Sequence, residues 1–139
     1  MRIKFLLRVV LGAIFIYAGI LKIVSPLRFV TDISNYHLLP WFATVALAFY
    51  LPWLEVIAGL ALLWTRVSRG ALLLLSFLTC VFIVASAGAK ARGLDVTCGC
   101  FGHASKDWSF GRHLLLDFAM LGALIFCALP AKEIHPARI

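Results

Sequence analysis

The residues best able to do chemistry sit in one short stretch, Cys98-Gly99-Cys100-Phe101-Gly102, followed at once by His103. In a Cys-x-Cys pair the Cα atoms fall within the roughly 4.4–6.8 Å that a disulfide tolerates. Gly99 has no Cβ and can take the backbone angles that so small a ring demands. Tight closure strains the bond, and a strained disulfide is easier to reduce than a relaxed crosslink. Three readings are open: a reversible dithiol–disulfide couple, a structural crosslink, and a soft-metal site using Cys98, Cys100 and His103. The reversible couple leads, with Cys98 and Cys100 as the catalytic thiols and no metal assigned. His103 is placed to stabilise a thiolate beside it.

A second set of reactive groups lies inside apolar runs. Glu55 falls at mid-membrane depth, where a carboxylate is expected to be protonated or hydrogen-bonded. It reads either as a proton relay or quinone-headgroup contact, or as a neutral acid bonded to Tyr17 or to backbone freed by Pro52. Lys22 and Asp117 both fall toward the same membrane surface, and pairing them would relieve two buried charges. Glu55, Lys22, Tyr17 and Asp117 are therefore the candidate lining of a quinone site. Cys80 and Cys127, alone in apolar runs, read as small apolar residues. His37, His103 and His113 read as surface or interfacial residues rather than ligands.

The elements that must hold these groups are membrane helices. Of the 139 residues, 63% are hydrophobic and 14% charged, with a mean hydropathy of +1.02, a balance that water-soluble domains do not carry. Apolar runs at about 5–24, 41–64, 71–89 and 113–129 are each long enough to cross about 30 Å of hydrocarbon. The first opens on Met1-Arg2-Ile3-Lys4 like a signal peptide, but it runs on past Tyr17-Ala18-Gly19 without a cleavage site and is expected to be retained. The expected fold is all-α: one domain over 1–139, an integral membrane four-helix bundle with a Cys-Gly-Cys loop between the third and fourth spans. Residues 25–40 are expected to hold a short interfacial helix, and Pro52 to kink the second span. Trp41 and Trp64 bracket that span as an aromatic belt. The net charge of +7 flanks the spans and suits anionic headgroups. No soluble basic patch with interleaved aromatics is present, so nucleic-acid binding is not expected.

Each run shows an inward stripe at 3- and 4-residue spacing. The stripes are Arg8, Gly12, Phe15, Gly19 and Lys22; Ala48, Pro52, Glu55, Gly59 and Leu62; Leu73, Ser76, Cys80, Ile83 and Ala87; and His113, Asp117, Met120, Leu124 and Cys127. At about 1.5 Å per residue, Glu55 and Cys80 come out near the same depth, ~14–15 Å, whereas Cys127 lies at ~5 Å, near Arg8. No Cys80–Cys127 disulfide is expected across that axial gap. Of the 13 basic residues, seven fall on the side of the chain termini and six on the other. The positive-inside rule thus leans slightly to cytoplasmic termini and an outward Cys98 loop, where oxidised pairs persist.

Four blocks of the chain carry a family resemblance. Tyr17-Ala18-Gly19-Ile20-Leu21-Lys22 followed by Pro26, and Tyr36-His37-Leu38-Leu39-Pro40, resemble the DoxX-like membrane proteins. Leu51-Pro52-Trp53-Leu54-Glu55 with Gly59, and Ala91-Arg92-Gly93-Leu94-Asp95 leading into Cys98-Gly99-Cys100-Phe101-Gly102, resemble the MauE branch of that group. The likeness spans essentially the whole chain, and the Cys-Gly-Cys-Phe-Gly block is its most specific part. Arg112-His113-Leu114 departs from it, standing where an acid directly after the arginine is expected. The resemblance implies a multi-pass protein of the bacterial inner membrane, with the Cys98–Cys100 loop facing the periplasm. It also implies a thioredoxin-like extracytoplasmic partner and the disulfide maturation of a cysteine-containing client, of the methylamine dehydrogenase type. Two other readings stand beside it: a non-catalytic membrane assembly chaperone, and a soft-metal-ion carrier.

Overall fold

Long apolar runs with no water to satisfy their backbone must close their own hydrogen bonds, and helices do so within one segment. The computed structural model, which describes residues 2–94 and 109–129, is built this way, with no strand among the described residues. The helices are α1 (Arg2–Val24), α2 (Pro26–Ser34), α3 (Trp41–Leu63), α4 (Ser68–Ala91) and α5 (Phe110–Ala128). All but α2 are long and apolar enough to cross a membrane. Cys98, Cys100 and His103, and the tail from Pro130, lie outside the described residues. The helices outrun the expected spans: α1 begins at Arg2 rather than Phe5, α4 covers Ser68–Ala91 rather than 71–89, and α5 begins at Phe110 rather than His113. Hydropathy falls off at the headgroups, but backbone bonding continues through them.

The bundle is a closed ring in which α1 packs on α3, α3 on α4, α4 on α5 and α5 back on α1. The α1–α3 seam is the tightest because glycines let the two backbones touch. A Cβ on Gly12 would stand 2.8 Å from the Gly59 carbonyl oxygen, and one on Gly19 would stand 2.9 Å from that of Pro52. Outside the ring the surface is apolar, with Phe5, Tyr50, Trp53, Phe77 and Phe118 among the exposed side chains. Inside it are Lys22, Glu55, Thr79 and Asp117. That inversion fits a multi-pass membrane protein, whose ionisable groups face the bundle interior. Trp41 and Trp64, exposed at the two ends of α3, fit the expected belt.

Helix α2 is the short helix expected between the first two spans. Pro26 opens it, where a missing N–H is no loss. Phe29 and Val30 turn inward and seat it on α1 and α3.

Three of the four expected stripes face the core. The second is buried throughout, the first except for half-buried Arg8, and the fourth except for half-buried Met120. The third is a correction: α4 is rotated by about one residue, roughly 100°. Leu72, Leu75, Thr79 and Ser86 are buried with Ile83, while Leu73, Cys80 and Ala87 are exposed. The run Leu72-Leu73-Leu74-Leu75 gives the hydropathy pattern no contrast to fix a face. Ser86 faces inward to meet the Tyr36 hydroxyl at 3.4 Å, while the Thr79 hydroxyl is satisfied within α4 by the Leu75 carbonyl at 2.8 Å.

Candidate functional site

Two ends of the bundle organise the site: an upper end, where α4 stops and α5 begins, and a lower end, where α1 begins and α5 stops. Between them, Lys22 on α1 and Glu55 on α3 form an ion pair in the core. Lys22 Nζ donates to both carboxylate oxygens at 2.8 Å, and the side chains are 1% and 4% exposed. The ammonium also lies 5.1 Å from the Phe29 ring and 5.2 Å from the Phe82 ring, within cation–π range of both. One charged group is thus held by α1, α2, α3 and α4 together.

Lys22 takes Glu55 as its ion-pair partner where Asp117 was expected, for a geometric reason. The glycine contacts set the antiparallel register, which puts the Lys22 Cα about six residues, ~9 Å, above the level of Glu55. Helical side chains lean toward their own N-terminus. Lys22 therefore leans down from the top of α1 and Glu55 leans up from the middle of α3, and the two close a gap that Cα heights alone leave open. Tyr17, 55% exposed on the outer face of α1, stands away from this cluster and is no partner for Glu55.

Asp117 is buried on α5 and faces Glu55 across a cavity that Phe15, Thr79, Phe82 and Met120 also line. Its volume of about 20 Å³ is room for about one water molecule. A quinone ring would enter only if the helices moved apart. His113, one turn above Asp117 on the same face, is 4% exposed; the expectation of a surface histidine there is corrected. The signal was its place in the α5 stripe.

At the lower end Lys4 Nζ donates to the Leu129 carbonyl at 2.8 Å, and Arg8 Nη2 to the Cys127 carbonyl at 3.5 Å. Two cations of α1 thereby cap the negative end of the α5 dipole. Cys127 is buried there beside Arg8, at the level the depth count gives, while Cys80 is exposed on the far face of α4; both are free thiols.

At the upper end, α4 stops in a Schellman cap. Gly93 sits at φ +73°, its N–H bonds the Lys90 carbonyl, and the Leu94 N–H bonds that of Ala89, each at 3.0 Å. Arg92 Nη2 donates to the Tyr36 carbonyl at 2.8 Å and Arg92 Nε to that of Gly88 at 3.2 Å. The Tyr36 hydroxyl meets Ser86 Oγ at 3.4 Å. Lys90 Nζ lies 5.6 Å from the Phe110 ring, so the end of α4 touches the start of α5. Sequence reasoning missed Tyr36, Thr79, Ser86 and Arg92. Only Arg92-Gly93 carried a readable signal, a basic residue and a glycine closing a helix.

A family model described as methylamine utilisation protein MauE matches residues 1–130. A methylamine utilization protein MauE from Methylophilus methylotrophus is 32% identical over 124 residues, which cover 88% of this chain and 65% of that relative. The chain therefore spans just under two thirds of the relative's length. No solved structure gives a match.

Proposed function

The chain belongs to the MauE family, and from that premise we propose that it is a membrane thiol–disulfide protein serving methylamine utilisation. In this reading Cys98 and Cys100 exchange a disulfide with an extracytoplasmic thioredoxin-like protein. A thiolate of one partner attacks a sulfur of the other's disulfide, a mixed disulfide forms, and the second thiol of the attacking pair resolves it. Two electrons and two protons move from the dithiol of one partner to the disulfide of the other, and the partner carries the change to a cysteine-containing client. A quinone is the class of membrane acceptor that would reoxidise the pair, taking two electrons and two protons to become a quinol. Lys22, Glu55 and Asp117 would then serve that acceptor from within the bundle, after the helices part.

The observation that carries the reading is the Cys98-Gly99-Cys100 spacing in the connection between α4 and α5. Two features of the described residues support it. The Schellman cap and the Arg92–Tyr36 bond fix where the chain leaves α4, and the Lys90–Phe110 contact brings its point of return alongside.

Cys98→Ser and Cys100→Ser, each expressed in the full chain, test it. A thioredoxin-like domain that keeps only its attacking cysteine, supplied as a mixed disulfide with thionitrobenzoate, serves as the trap, and thionitrobenzoate leaves as the new disulfide forms. One of the two single variants should lock into a mixed disulfide with the trap, and the double variant should not. Methylamine growth that survives loss of both thiols would overturn the exchange and leave an assembly role. Stoichiometric soft metal in the purified parent, lost with Cys98, would replace exchange by metal carriage.

A further inference from the structure

The lower end of the bundle carries positive charge that no internal contact uses. Five basic residues of the described chain lie there: Arg2, Lys4 and Arg8 on α1, Arg66 in the turn after α3, and Arg69 on α4. Lys4 and Arg8 are tied to the Leu129 and Cys127 carbonyls. Arg2, Arg66 and Arg69 are exposed and have no hydrogen bond or ion pair among the described residues. No described acid stands at that end to offset them. Asp32 lies on α2 and Asp117 in the upper half of α5, and Glu55 is at mid-height on α3, bound to Lys22. The contact of Gly12 with Gly59 puts Arg8 level with Leu63, the last residue of α3. The first turn of α1 therefore runs on past α3, at the height of the 64–67 turn that holds Arg66.

Along that turn of α1 runs an open groove of about 500 Å³, lined by Arg2, Ile3, Phe5 and Leu6. Its walls are one guanidinium and three apolar side chains, each of the three more than half exposed. Trp64, exposed beside the end of α3, marks the headgroup level of the bilayer here. A water-soluble anion would use the guanidinium and leave the apolar wall bare, and a hydrocarbon chain would do the reverse. An amphiphile with an anionic head uses both, and the bilayer presents one at this depth. A guanidinium also grips a phosphate through two parallel N–H bonds. The tail beyond Pro130 is a poor rival for the groove, since it brings Lys132 and Arg138 against Glu133. We propose that this groove seats one anionic phospholipid, its phosphate on Arg2 and an acyl chain along Ile3, Phe5 and Leu6. Arg66 and Arg69 raise the potential that draws the head to this surface. No bond is made or broken, so the site stands whether or not the thiol pair exchanges disulfides.

Native mass spectrometry of the full chain in detergent, with phosphatidylglycerol and phosphatidylcholine added in equal amounts, reads this directly. The parent should retain one phosphatidylglycerol severalfold more often than one phosphatidylcholine. Arg2→Gln should remove that preference, and Leu6→Ser, which leaves the charge alone, should lower phosphatidylglycerol retention severalfold. Arg28→Gln makes the same charge change at an exposed arginine of α2, at the upper end, and should retain the lipid as the parent does. All three side chains point away from the core, so the variants should melt with the parent when no phospholipid is present. A parent without the preference, or an equal loss from Arg28→Gln, would overturn the proposal by leaving net charge alone to explain retention. Displacement of the lipid by glycerol phosphate would overturn it in favour of a soluble anion. A severalfold rise in retention with Glu133→Gln would overturn it in favour of the chain's own tail.

Discussion

A lysine and a glutamate inside an apolar bundle are stable there only as a pair. Each ion gives up several kcal/mol of hydration, and the charge of the other, with two short hydrogen bonds, offsets that cost. The pair is a device for fixing one arrangement of α1 and α3 more than a source of net stability. Lys22→Met, which keeps the length of the side chain but leaves Glu55 without its cation, should destabilise the folded bundle by about 3 kcal/mol. Lys22→Met combined with Glu55→Gln should recover most of that loss, because neither buried charge then remains. Denaturant unfolding of the four species in nanodiscs measures the coupling, and additive losses would show that the pair is not one unit. The sequence announced every member of this cluster, since Lys22, Glu55 and Asp117 are ionisable residues in apolar runs. What it concealed was the pairing, which depends on the direction side chains lean rather than on the heights of their backbones. It concealed Thr79 too, which became part of the site through a rotation of α4 that a run of four leucines left undefined.

At the scale of elements the seam between α1 and α3 decides how accurately that cluster is held. A bilayer gives helices no hydrophobic reason to associate, so contact depends on close packing. Gly59 has the Gly12 carbonyl oxygen 3.0 Å and Ile16 Cγ1 2.9 Å from where its Cβ would be, and the first of these is backbone that cannot step aside. Gly59→Val should therefore cost about 1–3 kcal/mol by overpacking and push Lys22 and Glu55 apart. Gly122→Ala on α5, with open space around its missing Cβ, should be neutral or slightly stabilising. Thermal unfolding of the two variants separates these outcomes, and equal losses would mean that the seam has slack. This seam was legible in the sequence as two stripes of small residues, because glycine and alanine at helical spacing have no other use in a long apolar helix. The cap at Gly93 was partly legible for a similar reason. The tie from Arg92 to the Tyr36 carbonyl was not, since a backbone acceptor more than fifty residues away leaves no trace in composition.

For the whole molecule, the ring of four spanning helices has one directional consequence. Lys4 bonding the Leu129 carbonyl puts the start of α1 and the end of α5 at the lower end, and Lys90 over Phe110 puts the end of α4 and the start of α5 at the upper end. Residues 95–108 therefore join two helix ends that share one membrane surface, opposite to the surface shared by residues 4 and 129. Hydropathy sufficed for the number of crossings, but a division of seven basic residues against six could not orient them. Orientation is settled by labelling. Single cysteines introduced at Ser109 and at Arg2, in a background that lacks the native thiols, should react with a membrane-impermeant maleimide from opposite sides of oriented vesicles. Position 109 should react from the extracytoplasmic side and position 2 from the cytoplasmic side. The native exposed thiol Cys80, facing lipid in the middle of α4, should resist the reagent from both sides until the bundle is dissolved in detergent. Labelling of positions 109 and 2 from the same side would break the ring itself. Labelling from opposite sides in the reverse sense would leave the bundle standing but place Cys98 and Cys100 in a reducing compartment, where a disulfide exchanging with a thioredoxin-like oxidant would not persist.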